Sequence, residues 1–306
     1  MVVDAHAHVI VPGLGAETAR VDGAQVIRFG GREIRSALRE FVDVRRILEE
    51  QDAAGVDHVL LCPWVALLGR EPERQNQALA AMAGERVSVL GTVDLERPGD
   101  LVELMQDGRL AGVEVAASVD GDYLGHERFR DFWAAAEESG ALVFVHPTTR
   151  GFAQPVMDDY YLWNAVGNPL ETTIAAAHLV LAGVLERHPR LKVLLAHGGG
   201  AVLSLRGRLR HAHEHVRPAS AALSESPLES LRRFYYDTVT HDVDVLREVV
   251  AFAGADRVLC GSDYPFDMGT ERPWEIVRAL GLAPDDETAI LGGNAERLLA
   301  RQEAAA

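Results

Sequence analysis

Eight short runs of apolar and β-branched residues recur along the chain and alternate with segments that have helical periodicity. This alternation is typical of βα units, and the mostly continuous apolar character of the runs indicates strands of a parallel sheet that are covered on both sides. The runs cover residues 2–10, 56–62, 87–93, 111–117, 141–145, 192–196, 234–239 and 257–260. Eight such units predict an α/β chain that closes into a TIM-type (β/α)8 barrel.

Two segments depart from a minimal barrel. The polar, glycine-rich residues 11–40 are too long for an ordinary βα connection, so we expect an inserted loop that is either a functional lid or disordered. Residues 284–303 predict a final helix before an alanine-rich end. Because no interdomain linker or internal repeat is present, we expect a single barrel domain over residues 1–306, with loop insertions at the C-terminal mouth of the barrel.

A second long connection, residues 148–169, follows the fifth predicted strand. It carries four aromatic residues, Phe152, Tyr160, Tyr161 and Trp163. Long connections of this kind either pack on their own aromatic side chains or form one wall of an active-site pocket. The sequence leaves both interpretations open.

Charge and composition restrict the partners of the chain. Its 46 acidic and 30 basic residues give a formal charge of −16, which would repel phosphate backbones and anionic lipid surfaces, so we expect neither nucleic acid nor a membrane as partner. There is no run of about 18 uncharged apolar residues and no basic leader segment, so we expect a cytoplasmic protein. Cys62 and Cys260 lie in apolar runs, which predicts buried thiols rather than a disulfide.

Two histidines lie two residues apart in the first predicted strand. At this spacing the side chains of His6 and His8 point to the same face, about 7 Å apart at their Cα atoms, so both imidazoles can converge on one ion. A His-x-His pair alone is only a weak indication of a metal site. Its place near the end of the strand strengthens it, because the active sites of such barrels lie at the C-terminal mouth.

Polar residues occupy the same place after three other predicted strands. His146 follows the fifth strand, His197 the sixth and Asp263 the eighth. Buried polar groups without partners are costly, so a shared ion explains several of them on one rim better than separate backbone hydrogen bonds do. Imidazole and carboxylate ligands predict one divalent transition metal ion, Zn²⁺ first and Mn²⁺ as the alternative, rather than Ca²⁺ or Mg²⁺.

The remaining histidines lack this context. His211, His213 and His215 fall in a helical segment, where residues at i and i+2 diverge, so we do not expect them to bind a metal ion. His241 follows the seventh strand and is expected at most to support the ligands from outside. The other discounted histidines are His58, His126, His178 and His188.

Several motifs along the chain carry a family resemblance. They are residues 4–8 (DAHAH), 144–147 (FVHP), 191–201 (LKVLLAHGGGA) and 261–266 (GSDYPF), with 167–173 (GNPLETT) and 291–295 (LGGNA) extending the similarity over nearly the whole chain. Together they resemble the amidohydrolase-related decarboxylases, and among these the 2-amino-3-carboxymuconate-6-semialdehyde decarboxylases.

The resemblance implies distinct roles for the residues at the barrel mouth. His6, His8, His146 and Asp263 would hold the metal ion, with water or a substrate oxygen as a further ligand, and His197 would be the catalytic acid/base beside Asp263. The implied activity is non-oxidative decarboxylation of a small aromatic or muconate-like carboxylic acid. Loss of CO₂ leaves a carbanion unless the carbon is protonated, and an imidazole that titrates near neutral pH can supply that proton.

A carboxylate substrate also favours a guanidinium, which binds carboxylates through two parallel hydrogen bonds. By the resemblance, Arg208 reaches the active site of a neighbouring subunit and so implies a homodimer, and Arg35 is the candidate for a second carboxylate-binding arginine. Trp163 and Phe266 are the expected aromatic contacts of the substrate.

The chain departs from the resembling enzymes at two places in the expected pocket. Thr148 and Thr149 stand where those enzymes have Trp-Asp, and Asn164 stands in place of their loop tryptophan, one residue from Trp163. The resemblance therefore defines the metal site more closely than it defines the substrate.

Two other functions are compatible with the same ligands. A metal-dependent hydrolase of a lactone, an amide or a C–C bond uses the same donor set. A catalytically silent metal-binding scaffold would be expected to have lost the acid/base, and the retention of His197 argues against it.

Overall fold

Eight parallel strands form a barrel in the computed structural model, which describes residues 1–21, 24–29, 32–36, 41–148 and 155–300. The thirteen strands of these residues are β1 (Val3–Val9), β2 (Glu17–Val21), β3 (Ala24–Phe29), β4 (Arg32–Ser36), β5 (His58–Pro63), β6 (Val87–Gly91), β7 (Gly112–Ala116), β8 (Ser118–Val119), β9 (Asp122–Tyr123), β10 (Leu142–His146), β11 (Lys192–Leu195), β12 (Tyr235–Asp237) and β13 (Val258–Leu259). The barrel strands follow the order β1-β5-β6-β7-β10-β11-β12-β13. They overlap all eight predicted runs, so the predicted barrel is confirmed.

The barrel closes between β1 and the segment that follows β13. The backbone N–H of His8 donates to the carbonyl oxygen of Tyr264 at 2.7 Å, and the N–H of Asp263 donates to the carbonyl oxygen of His6 at 2.8 Å. These bonds place the end of the last strand directly beside the two histidines of the first.

Helices cover the outside of the barrel. Those of the described residues are α1 (Val44–Ala54), α2 (Pro72–Ala80), α3 (Pro98–Asp107), α4 (Arg130–Ser139), α5 (Asn168–Leu181), α6 (Val184–Arg187), α7 (Arg206–His215), α8 (Pro227–Arg233), α9 (Val243–Ala253), α10 (Trp274–Ala279), α11 (Pro284–Thr288) and α12 (Asn294–Leu299). Gly55 ends α1 in the left-handed conformation, with φ of 76°, because a residue without a Cβ adopts this cap at little cost. Among the described residues, no helix is both long enough and apolar enough to cross a membrane.

The described part of the predicted insertion over residues 11–40 has regular structure that was not predicted from the sequence. The strands β2, β3 and β4 form a separate three-stranded antiparallel sheet, and Val26 and Ile27 of its central strand are fully buried. Backbone hydrogen bonds between three short strands satisfy groups that an irregular loop would leave to water. The segment carries too few apolar residues for these strands to stand out in the sequence.

The described part of the predicted helix over residues 284–303 is helical from Pro284 to Leu299, with a π-helical turn inside it. A π-helical turn, Ala289–Gly293, separates α11 from α12, and α12 ends at Leu299; residues 301–303 lie outside the described residues. Adjacent glycines weaken a helix at this point. Gly292 also lies against the carbonyl oxygen of Met1, where a Cβ would come within 2.6 Å.

The core has an inner and an outer part. Inside the barrel, Phe144 and Leu194 pack with other fully buried side chains below the C-terminal mouth, and a larger cluster fills the space between strands and helices. Cys62 and Cys260 are buried free thiols, as predicted. This packed interior supports the polar residues at the mouth from below.

Candidate active site

Five side chains meet at the C-terminal mouth of the barrel. His6 and His8 belong to β1, His146 is the last residue of β10, and His197 and Asp263 follow β11 and β13. The ring centroids of His8 and His146 lie 4.8 Å apart, and those of His146 and His197 lie 5.4 Å apart. The structure thus brings together the five residues that the sequence places on one rim.

The carboxylate of Asp263 faces the imidazoles with both oxygens. Its Oδ1 lies 3.4 Å from His6 Nε2 and 3.5 Å from His8 Nε2, whereas its Oδ2 lies 3.5 Å from His197 Nε2. One ligand atom each from His6, His146, His197 and Asp263 lies within 4.8 Å of the others, and the Nε2 atoms of His6 and His8 are 3.1 Å apart. Nitrogen and oxygen donors this close together can share one cation.

Hydrogen bonds fix the orientation of two of the imidazoles. His6 Nδ1 lies 2.6 Å from Asp237 Oδ2, and His146 Nδ1 lies 2.9 Å from the carbonyl oxygen of Pro147. Because both partners only accept, each Nδ1 carries the hydrogen, and in the neutral ring Nε2 keeps its lone pair. Metal-binding histidines are usually held in this way.

Several buried polar atoms of the cluster lack a hydrogen-bond partner among the described residues. They are His146 Nε2, Asp263 Oδ1 and the Nδ1 atoms of His8 and His197. Each unsatisfied buried group costs roughly 1–3 kcal/mol, and folded proteins keep few of them. A divalent cation would satisfy the first two of these atoms and separate the lone pairs of His6 and His8, so the residues present fit a metal ion.

Burial sets the charges of the cluster. It lowers the pKa of His146 well below its usual value, an effect that neighbouring His8 and His6 reinforce, and it also lowers the pKa of His8. Burial opposes ionisation of Asp263, but the imidazoles of His197 and His8 outweigh it and hold the pKa of this carboxyl well below its usual range. Burial opposes protonation of His6, but the carboxylates of Asp237 and Asp263 outweigh it and raise the pKa of this imidazole. A metal ion binds neutral imidazoles and anionic carboxylates, which are the forms favoured for His8, His146 and Asp263.

A second carboxylate connects the cluster to the backbone turn that carries His197. Asp237, at the end of β12, is fully buried and accepts hydrogen bonds from His6 Nδ1 and from the backbone N–H groups of His197 and Gly198. Sequence reasoning missed this residue. Its signal was a single acidic residue inside the seventh predicted run, residues 234–239.

A third carboxylate, Glu114 in β7, lies beside the cluster and was also missed. Its two oxygens lie 3.9 Å from His8 Nδ1 and 3.9 Å from His146 Nδ1, and only 1% of the residue is exposed. Burial, reinforced by the charge of Asp263, raises the pKa of Glu114 well above its usual value. A charged residue in the middle of an apolar run was the available signal.

A glycine-rich turn carries His197. Its first two residues adopt left-handed conformations, with φ of 56° at His197 and 60° at Gly198. A Cβ on Gly200 would lie 2.1 Å from the carbonyl oxygen of Pro169, so only glycine fits there. The motif after the sixth strand therefore folds into a tight turn packed against the start of α5.

A cavity of about 180 Å³ opens beside this turn. Its polar lining residues are Asn164, Asn168, His197, Thr240, His241 and Asp263, and its apolar ones include Pro169, Val239 and Met268. Among the four clustered imidazoles of the described residues, only that of His197 lines the cavity. The imidazole that is expected to move protons thus faces the cavity, whereas the three imidazoles that are expected to hold the ion do not.

Three of the lining residues share an uncommon backbone conformation. His197, His241 and Asp263 follow consecutive barrel strands, and their φ angles are 56°, 57° and 58°. Residues other than glycine adopt such values rarely, mostly where the surrounding structure enforces them at functional sites. His241, which the sequence placed outside the ligands, therefore belongs to the wall of the cavity.

The two departures from the resembling enzymes have different surroundings. Asn164 lines the cavity, as expected. Thr148 donates hydrogen bonds from its backbone N–H and its hydroxyl to the carboxylate of Glu171 in α5, each at 2.7 Å, and Ser118 donates to the same carboxylate. Thr149 lies outside the described residues.

The predicted aromatic contacts lie at the edge of the site. The ring of Phe266 is 5.3 Å from that of His8, next to the cluster. Trp163 packs edge-on against Tyr161, with ring centroids 4.9 Å apart, and does not line the cavity in the part of the chain that the structure describes. The connection over residues 148–169 therefore does both: two of its aromatic side chains pack together, and Asn164, Asn168 and Pro169 form one wall of the cavity.

Arg208 does not line the cavity within one chain, and the side chain of Arg35 cannot be compared with it. Arg208 is exposed on α7. The backbone of Arg35 lies in β4, paired with Val26, and its side chain lies outside what the structure describes. Their roles in binding a carboxylate stay predictions.

Comparisons with known proteins agree with this architecture. The model of the family described as Amidohydrolase matches residues 3–301. A 2-amino-3-carboxymuconate-6-semialdehyde decarboxylase from Dictyostelium discoideum is 32% identical over 193 residues, covering 62% of this chain and 53% of that protein. A 6-methylsalicylic acid decarboxylase from Penicillium expansum is 34% identical over 154 residues, covering 47% of this chain and 44% of that protein. The chain spans about half the length of these curated relatives.

A solved structure extends the likeness over the whole fold. The apo form of IDCase from Metarhizium anisopliae superposes with a TM-score of 0.82 at 22% identity, covering 97% of this chain and 96% of that one. At this level of identity the likeness establishes the shared barrel fold and nothing finer.

Proposed function

Because the chain belongs to the amidohydrolase family, we propose that it is a metal-dependent, non-oxidative decarboxylase of small aromatic or muconate-like carboxylic acids. Both curated relatives described above are decarboxylases of unsaturated or aromatic acids. The donor set at the barrel mouth and the polar cavity beside it support the same activity.

His6, His8, His146 and Asp263 would hold the ion. The first three supply buried nitrogen donors. Asp263 supplies Oδ1, which accepts no hydrogen bond from the described residues. Three imidazoles and one carboxylate favour Zn²⁺, with Mn²⁺ as the second candidate. When bound, the ion supplies Lewis acidity that polarises a substrate oxygen and stabilises negative charge.

His197 would carry the proton. The imidazole of His197 donates a proton to the carbon that bears the carboxylate, the C–C bond then breaks, and its electron pair restores the conjugated system as CO₂ leaves. The proton is replaced from solvent, so no water is consumed overall. Asp263 Oδ2 lies 3.5 Å from His197 Nε2, close enough to orient the imidazole.

The observation that carries this assignment is the access of His197 to the cavity. The side chains of the other three histidines are at most 6% exposed, whereas that of His197 is 12% exposed and lines the cavity. A group that exchanges protons with substrate and solvent needs this access, and a metal ligand does not.

His241 is the proposed contact for a polar group of the substrate. It faces the same cavity as His197, and none of the described residues that line this cavity is an arginine or a lysine. A second copy of the chain could add a guanidinium, and we propose a homodimer in which Arg208 of one subunit serves the site of the other. Size-exclusion chromatography, together with the KM of an Arg208→Ala variant, tests this proposal.

Hydrolysis of a lactone, an amide or a C–C bond is the alternative chemistry for the same donors. The two reactions differ in what they consume and release: hydrolysis consumes water, whereas decarboxylation releases CO₂. Incubating the metal-loaded protein with hydroxybenzoic acids and with simple lactones, and measuring CO₂ and products, separates them. Turnover of lactones without release of CO₂ from any acid would reject the proposal.

A further inference from the structure

A second cluster of metal-binding side chains lies outside the barrel, on the last turns of α7. His211, Glu214 and His215 are exposed, and one ligand atom from each lies within 4.8 Å of the other two. The ring centroids of His211 and His215 are 4.3 Å apart. No residue of α7 is buried within one chain. Arg208 lies three residues before His211 on the same face of the helix, so in the proposed homodimer the cluster lies at the edge of the subunit contact.

The helical spacing explains why these side chains meet. His215 lies four residues after His211, and Glu214 lies three residues after it, so all three project from one face of the helix. The sequence alone argues against metal binding by these histidines because residues at i and i+2 on a helix diverge. That argument does not apply to His211 and His215, which are four residues apart and are neighbours on the helix.

We propose that His211, Glu214 and His215 form a surface site for a borderline divalent ion such as Zn²⁺, Cu²⁺ or Ni²⁺. Two imidazoles and one carboxylate suit these ions, whereas Ca²⁺ and Mg²⁺ prefer shells made of oxygen. Solvent water completes the coordination because all three side chains are exposed.

Neighbouring charges set the expected strength of this site. Arg210 Nε lies 3.8 Å from Glu214 Oε1, and this ion pair competes with an ion for the carboxylate. Exposed ion pairs are weak, so the competition is modest, and the net charge of −16 favours cations over the surface as a whole. We expect weaker binding than in the barrel, where more protein ligands are available and all are buried.

An ion at this site stabilises the end of α7. It links side chains from two successive turns at the point where the last carbonyl groups of a helix lack intrahelical partners. An ion that binds only the folded helix raises the stability of the fold in proportion to its occupancy.

His213, on the same helix, provides a matched control. Its Nε2 donates to the carbonyl oxygen of Leu223 at 2.9 Å, so it is engaged in the fold and is not part of the cluster. Replacing His213 removes an imidazole from α7 without removing a proposed ligand.

Equilibrium dialysis against a buffer with a fixed concentration of free Zn²⁺ tests the site. The protein is loaded at the barrel first, and the ions bound per chain are counted by elemental analysis. We expect the wild type and His213→Gln to bind one more ion per chain than the double variant His211→Gln/His215→Gln. Circular dichroism and size-exclusion chromatography in the same buffer establish that the three proteins share fold and assembly.

Two results would overturn the proposal. If the wild type and the double variant bind equal numbers of Zn²⁺ ions, the cluster holds none. If His213→Gln loses the additional ion together with the double variant, the ion is bound elsewhere on α7. Because the barrel ligands are unchanged in all three proteins, neither result depends on the catalytic activity.

Discussion

The carboxylate of Asp237 links the proposed metal ligands to the proposed acid/base, and replacing it with asparagine tests how the site is held together. Its Oδ2 accepts from His6 Nδ1 at 2.6 Å and from the backbone N–H of His197 at 2.9 Å. Its Oδ1 accepts from the backbone N–H groups of Gly198 at 2.7 Å and Val239 at 3.0 Å. Asparagine keeps one oxygen and places an amide donor at the other position, so two of these four donors lose their acceptor in either orientation.

The expected effect on stability and metal binding follows from these contacts. Two donors stay unpaired when the amide faces Gly198 and Val239, but only one when it faces His6, which can then accept from the amide. At roughly 1–3 kcal/mol for each buried donor without an acceptor, the free energy of unfolding should fall by about 1–6 kcal/mol. An amide that faces His6 donates to Nδ1 and moves the ring hydrogen to Nε2, which then cannot bind an ion. Loss of such an outer partner typically lowers metal affinity by about 10–100-fold.

The assay compares Asp237→Asn with Asp242→Asn, a control in the same β12–α9 connection. Asp242 caps α9 by accepting from the N–H groups of Asp244 and Val245, and asparagine caps helices equally well. Dialysis against a chelator of known affinity gives the metal dissociation constant, and urea unfolding gives the stability. A folded Asp237→Asn protein with the metal affinity of the wild type would refute the reasoning.

Four further outcomes are expected. His197→Asn should abolish turnover and leave the metal content near that of the wild type; loss of the ion would instead make His197 a ligand. Asp263→Asn should lower metal occupancy after dialysis, as measured by elemental analysis, and unchanged occupancy would contradict its role as a ligand. His241→Gln should raise KM more than it lowers kcat in steady-state kinetics, whereas a loss confined to kcat would assign it to the chemical step. Removing the metal with a chelator should abolish activity and adding Zn²⁺ or Mn²⁺ should restore it, so full activity of the metal-free protein would contradict metal dependence.

The barrel strands could be predicted because burial on both sides of a parallel sheet leaves a continuous apolar run. Even a short strand such as β11, with four residues, could be predicted, because polar and glycine-rich sequence follows it. The strand ends could be predicted for the same reason, since His146 and His197 are the first polar residues after apolar runs and Asp263 follows a third run by three residues. The antiparallel sheet of β2, β3 and β4 could not, because its strands are held mainly by backbone hydrogen bonds that any sequence can make.

The supporting residues of the site were harder to predict than the clustered ones. Asp237 and Glu114 act through contacts with histidines that are far away in sequence, and those contacts exist only once the barrel closes. The place of His241 in the cavity wall depends on a local backbone conformation rather than on a pattern. His211 and His215 were within reach of the sequence, since four-residue spacing on a helix is visible there.

Release of CO₂ is the most direct test of the proposed function. The metal-loaded protein would be incubated in heavy water with a hydroxybenzoic acid that carries an isotopic label in its carboxyl group. We expect labelled CO₂ in step with a product that carries one deuterium at the carbon that held the carboxylate, and neither in His197→Asn. Turnover without labelled CO₂, with oxygen from solvent appearing in the product, would contradict decarboxylation and identify the protein as a hydrolase.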